Sequence, residues 1–111
     1  MSELLEKRCA PCEGGVPPLS PTDARRMLPQ IPGWELREDG KELRRTLAFK
    51  NYHEVMAFVN AVAWIAYREN HHPDLEVGFR KVLVRYSTHA IQGLSENDFI
   101  CAAKVNQLLA S

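Results

Sequence analysis

Between Asn51 and Asn70 the apolar residues Val55, Phe58, Val59, Val62, Ile65 and Ala66 recur at spacings of three and four, whereas on both sides of this stretch the spacing drops to two. That change of period constrains the fold more than any other feature, because only an amphipathic helix repeats at 3.6 and only a half-buried strand repeats at 2. Asn51 and Glu54 form an N-x-x-E capping signature at the start. The helix is predicted to run to about residue 69, with Asn70 as a left-handed terminator and Pro73 preventing continuation.

Upstream, Trp34, Leu36 and Glu38 alternate with Glu35 and Arg37, and Asp39-Gly40 reads as a two-residue hairpin turn. Leu43, Leu47 and Phe49 share one face of the returning strand. Arg45 breaks that apolar face, so a bulge or a strand end is expected there. Downstream, Leu75, Val77 and Phe79 and then Val82, Val84 and Tyr86 make a second hairpin, with Leu83 an apolar residue on its outer face. Ser20-Pro21-Thr22-Asp23 opens a short helix that stops before Pro29. Ser95 caps a final helix running to about Leu109, with Asp98 at its third position and Leu94 able to pack on Phe99. The order α-β-β-α-β-β-α predicts an α+β two-layer sandwich, a four-stranded antiparallel sheet with three helices on one face.

The chain has 111 residues, enough for one domain. Residues 1–19, rich in Gly and Pro, are expected as a flexible tail, and 20–111 as the single domain. A formal net charge of zero argues against a surface built to neutralise phosphates, so no nucleic-acid partner is expected. The longest apolar stretch is broken by Asn60 and is too short to span a bilayer. Met1 to Ala10 lacks the apolar centre of a signal peptide, and a cytoplasmic location is expected. Cys9 and Cys12 form a C-x-x-C without the second pair that structural zinc needs, and Cys101 falls in the last predicted helix. The N-terminal pair therefore reads as reduced thiols.

Three of the four histidines, His71, His72 and His89, fall where elements end, and Asp98 falls where one begins. Imidazole exchanges protons near neutral pH, so a site built from these residues needs no cofactor for proton transfer. Pro73 fixes the backbone leaving the helix and sends the two neighbouring rings in different directions. His89 follows Ser87 and Thr88 at the end of the fourth strand, and a strand end in a sandwich can approach the end of the helix packed above it. Asp98 is accounted for as a cap; alternatively it orients a histidine. Histidine and aspartate are acceptable zinc or iron ligands, but adjacent histidines project to different sides and rarely chelate one ion. No metal and no cofactor is expected. Neither a nucleophile elbow nor a phosphate loop is present.

The run His71-His72-Pro73, five residues, Phe79, nine residues, His89, eight residues, Asp98 resembles the signature of the pterin-4a-carbinolamine dehydratases. Ser87-Thr88-His89, Gly93-Leu94-Ser95, Asn97-Asp98, Gly33-Trp34 and Phe49-Lys50-Asn51-Tyr52 are similar too. The resemblance covers roughly residues 20 to 110. It implies a hydro-lyase that converts 4a-hydroxytetrahydropterin to quinonoid dihydropterin and so recycles the cofactor of aromatic amino acid hydroxylases. It implies a four-stranded antiparallel sheet with three helices on one side, no metal, and a homodimer or homotetramer. Carried over by position, His71, His72 and His89 are the catalytic histidines and Asp98 the supporting acid. Asn70, His71, His72, Pro73, Ser87, Thr88, His89 and Ala90 would bind the substrate. At Tyr67, Asn70 and Ala90 the chain departs from the charged residue, the aspartate and the glutamate frequent in the family. The resemblance also carries an alternative: relatives act as dimerisation cofactors for a transcription factor or as assembly scaffolds. A protein partner, a hydroxylase or a transcription factor, is thus a second expectation.

Overall fold

A computed structural model describes residues 3–11 and 17–110. Cys12, Gly14 and Gly15 lie outside the described residues. The elements are α1 (Glu3–Glu6), α2 (Pro21–Met27), β1 (Glu35–Leu36), β2 (Leu43–Ala48), α3 (Tyr52–Glu69), β3 (Asp74–Val77), β4 (Lys81–Tyr86) and α4 (Glu96–Ala110), with 3₁₀ turns at Leu28–Gln30 and His89–Ile91. The four strands form one antiparallel sheet in the order β1-β2-β4-β3. This is the expected α+β architecture, with α1 as an additional short helix.

Period decides each element's face. Leu43 of β2 and Val82, Val84 and Tyr86 of β4 are fully buried, against Ala24 of α2, Val55, Phe58 and Val62 of α3, and Phe99, Ile100 and Ala102 of α4. The alternate residues Thr46, Ala48 and Glu76 are exposed on the other face. Each buried aliphatic or aromatic side chain contributes about 1.5–3 kcal/mol by leaving water. None of the helices among the described residues is long and apolar enough to cross a membrane.

Local signals act as their chemistry requires. Asn51 Oδ1 accepts the Glu54 N–H at 2.9 Å and Glu54 Oε1 accepts the Lys50 N–H at 3.1 Å, while Asn70 ends α3 at φ 52°. The first hairpin is wider than a two-residue turn. Its strands end at Leu36 and Leu43, and the Arg37 N–H donates to the Glu42 carbonyl at 2.9 Å. Arg37 holds this wider loop by pairing with both Asp39 and Glu42.

Arg45 causes neither a bulge nor a strand end, since β2 pairs with β4 in unbroken register from Leu43 to Ala48. Its stem leaves the core face and its guanidinium reaches Asn106 Oδ1 and the Pro32 carbonyl. Gly33, at φ 89°, makes room for it: a Cβ there would come within 2.8 Å of Arg45 Cζ.

Residues 3–11, which composition assigns to a tail, pack on the body. Leu4 is buried in the main core and Leu5 and Cys9 pack against it. The Lys104 ammonium donates to the Leu5 carbonyl, and Lys7 pairs with Glu96. Two leucines suffice for this because they meet an apolar surface already formed by α4, which periodicity within the segment cannot reveal.

Candidate active site

The site is built where α3 stops. With Asn70 left-handed, the His71 N–H still bonds back to the Ala66 carbonyl at 3.2 Å, so the chain folds beneath its own helix. His71 is thereby drawn inward, its side chain 13% exposed, while His72 remains at the surface. The His71 ring lies nearly parallel to Tyr86 at 6.0 Å, with 8° between planes. The Tyr86 hydroxyl is buried; burial first, then the neighbouring Cys101 and Asp98, pushes its pKa far up, and Tyr86 stays neutral.

His71 Nε2 meets Asp98 Oδ1 at 2.6 Å. Asp98 is fully buried, and its Oδ2 accepts the Thr88 hydroxyl at 2.8 Å and the Ser95 N–H at 3.0 Å. The two readings of Asp98 are therefore compatible: one carboxylate oxygen serves the start of α4 and the other holds the histidine. Ser95 Oγ is hydrogen-bonded to Thr88 Oγ1 at 2.8 Å, tying the α4 start to the end of β4. Engagement of Nε2 leaves Nδ1 as the nitrogen of His71 free for chemistry. When Nε2 carries the proton, Nδ1 presents a lone pair.

His89 opens the 3₁₀ turn after β4. Its ring stands 6.5 Å from that of His72, with 30° between planes. His89 Nε2 is 3.9 Å from Asp74 Oδ2, a loose pair at the rim with both side chains more than half exposed. Asn70, His71, His72, Ser87, Thr88, His89 and Ala90 border one cleft of about 380 Å³, within the range of small-molecule sites. Of the expected residues, Pro73 and Asp98 do not border it. Pro73 shapes the backbone between His72 and β3, and Asp98 lies behind His71. Among the described residues no group of three or more His, Cys, Asp or Glu is arranged to hold a metal ion.

Five lining residues had no place in the sequence reading of the site: Cys9, Ala10, Pro11, Glu69 and Asn97. The Asn97 side chain pairs with the backbone of Ala10 on both sides, accepting its N–H at 3.0 Å and donating to its carbonyl at 2.6 Å. Glu69 accepts the Cys9 N–H at 2.8 Å and pairs with Arg8. Burial pushes the Glu69 carboxyl up, but the Cys9 N–H and the Lys104 and Arg8 charges outweigh it and hold the pKa below the ordinary value. One signal could have found Glu69: it falls four residues after Ile65 on the apolar stripe, where a carboxylate must have partners.

The profile of the family described as pterin 4 alpha carbinolamine dehydratase matches residues 17–108. A curated relative from Dechloromonas aromatica (strain RCB), whose name places it in that dehydratase family, is 58% identical over 106 residues, 96% of this chain and 93% of the relative. One of the same name from Nitrosomonas eutropha is 56% identical over 110 residues, 98% of this chain and 96% of the relative. Among solved structures, a transcriptional coactivator/pterin dehydratase from Brucella melitensis superposes with a TM-score of 0.78 at 25% identity, covering 82% of this chain and 97% of that one. A pterin dehydratase-like protein described as a RuBisCO assembly factor of the alpha-carboxysome shares the fold, with a TM-score of 0.62 at 23% identity over 74% of this chain and 95% of its own. With a profile match along most of its length and relatives more than half identical nearly end to end, this chain belongs to the pterin 4 alpha carbinolamine dehydratase family.

Proposed function

We propose that the cleft dehydrates a 4a-hydroxytetrahydropterin to the quinonoid dihydropterin, recycling the pterin cofactor of aromatic amino acid hydroxylases. The observation that carries this reading is the meeting of three imidazoles from two distant segments on one cleft, the deepest of them backed by a buried carboxylate. In the reaction the C4a–O bond breaks, the oxygen leaves as water after taking a proton, and N5 loses its proton as the N5=C4a double bond forms. Each proton needs a positioned donor or acceptor, and each such group supplies about 10²–10⁴-fold. His71 is assigned the main acid/base role at the 4a centre. His72 holds the pterin, His89 is the second proton-transfer group, and Asp98 fixes the His71 ring. Asn70, Pro73, Ser87, Thr88 and Ala90 complete the assigned substrate site, Pro73 through the backbone.

The test uses chemically generated 4a-carbinolamine and follows its loss above the spontaneous rate, with and without chelator. Wild-type protein is expected to accelerate dehydration equally in both conditions. His89→Ala is expected to lower kcat by about 10²-fold. No acceleration by the wild type would remove the proposal, and activity lost to chelator would transfer the chemistry to a metal.

A second reading, as a dimerisation cofactor or assembly scaffold, is favoured by one surface feature. Trp64 and Tyr67 stack on each other at 5.4 Å on the outer side of α3, 58% and 75% exposed. Exposed paired aromatics of this kind are enriched at protein interfaces. The names of the two solved neighbours, a coactivator and an assembly factor, point the same way. The homodimer or homotetramer implied by the family would use such a face. Sedimentation velocity on a Trp64→Glu/Tyr67→Glu double variant is expected to show a smaller species than the wild type. An unchanged sedimentation coefficient would take α3 out of the assembly.

A further inference from the structure

The C-x-x-C motif has no part in proton transfer, yet the fold gives its first cysteine a specific neighbour. Cys9 Sγ lies 3.7 Å from Cys101 Sγ, although the two residues are 92 positions apart. Both thiols are free. Neither is placed by the other. Cys9 is held through its backbone by Glu69, and the next residue is held on both sides by Asn97. Cys101 is fixed in α4, one turn beyond Asn97 and Asp98. The fold thus presents two sulfurs to each other, and rotation about the side-chain bonds has only about 1.7 Å to close to reach the disulfide length. Their accessibility differs: Cys9 borders the cleft, whereas Cys101 is fully buried.

We propose that Cys9 and Cys101 form a reversible thiol–disulfide site, oxidised by low-molecular-weight disulfides that enter the cleft, and that closing it fastens the N-terminal wall of the cleft to α4. The Cys9 thiolate attacks one sulfur of the small disulfide RSSR, forms the mixed disulfide and expels RS⁻. Cys101 then attacks the Cys9 sulfur, and the second RS⁻ departs with the Cys101 proton as RSH. Two protein thiols and one RSSR become one protein disulfide and two RSH, so electrons and protons balance without another oxidant. The order follows from access, and the surroundings of Cys101 support it. A hydrogen bond with Cys9, and then burial, push the Cys101 pKa up. Modification of Cys9 removes the first of these causes. The consequence reaches the cleft wall, because Cys9, Ala10 and Pro11 all border it and Asn97 connects them to the helix that carries Cys101.

The test incubates the full chain with oxidised glutathione at about pH 8.5, where thiol–disulfide exchange is fast for ordinary thiols. Alkylation and non-reducing peptide mapping follow. A Cys9–Cys101 linked peptide, lighter by two hydrogens, is expected in the wild type and in Cys12→Ser, and dithiothreitol should reverse it. Cys101→Ser should stop at the Cys9–glutathione adduct. Hydrogen exchange at the Ala10 amide should slow by at least about tenfold on oxidation of Cys12→Ser. Because Cys12→Ser retains both thiols of the site, the result does not hinge on whether Cys101→Ser folds. A Cys9–Cys12 link in the wild type with no Cys9–Cys101 link in Cys12→Ser would overturn the proposal. So would a glutathione adduct that persists on Cys9 while Cys101 remains free, or failure of any thiol to react.

Discussion

Replacing His71 by alanine should lower kcat for carbinolamine dehydration by about 10²–10⁴-fold, the contribution of one positioned acid/base group. The expected loss is larger than at His89 because the two rings are not held alike. His71 is nearly buried, bonded to Asp98 at 2.6 Å and laid against Tyr86. Its free nitrogen therefore has one direction in which to act, and no reorganisation is needed during the reaction. His89 is more than half exposed and 3.9 Å from its nearest carboxylate. Steady-state kinetics corrected for the spontaneous reaction would measure the effect, with circular dichroism to establish that the variant is folded. Added imidazole should restore part of the rate, since the space vacated is the size of the ring. A folded variant with wild-type kcat would strip His71 of its proton-transfer role.

Asp98→Ala should be the most destabilising single substitution in the site. Its carboxylate accepts from His71, Thr88 and the Ser95 N–H in a fully buried position. Removing it strands those donors and takes a negative charge from the start of α4. Deleting one partner of a buried pair costs about 3–5 kcal/mol, a large share of the roughly 5–15 kcal/mol that holds a typical domain together. Urea denaturation would report the loss as a lower midpoint. Asp98→Asn separates structure from chemistry. The amide keeps the volume, and with its oxygen toward the Ser95 N–H its nitrogen donates to His71 Nε2, so the ring takes the other tautomer and Nδ1 no longer presents a lone pair. For that variant kcat should fall with KM little changed, and stability should fall less than in Asp98→Ala. A wild-type kcat in Asp98→Asn would reduce Asp98 to a helix cap.

The elements of the sandwich were legible because each depends on near neighbours in the chain. The period change at Asn51 and Asn70, the capping pair Asn51 and Glu54, and the alternation through Val82, Val84 and Tyr86 are all local patterns that local physics obeys. The turn lies at Asp39-Gly40 as the sequence indicates but is wider, with Arg37 pairing with Asp39 inside it and with Glu42 beyond it. Arg45 looked like a defect in β2, and its partner Asn106 lies 61 positions away.

The site divides along the same line. Residue type and position singled out His71, His72 and His89, since groups that exchange protons stand out at element ends, whereas Ser87 and Thr88 came with the family resemblance; all five border the cleft. The amino-acid order also left Asp98 with two readings, and each carboxylate oxygen has the partner that one of them needs, the Ser95 N–H at Oδ2 and the His71 ring at Oδ1. Cys9, Ala10, Pro11, Glu69 and Asn97 became cleft residues only through tertiary structure, because Cys9, Ala10, Glu69 and Asn97 pair across 60 to 92 positions of chain and Pro11 follows Ala10. Local patterning determines which segments become helix or strand and where their reactive ends fall. Which ends meet, and which side chain is dry enough to need a partner, is decided by packing, because burial and hydrogen-bond geometry depend on residues that adjacent sequence does not contain.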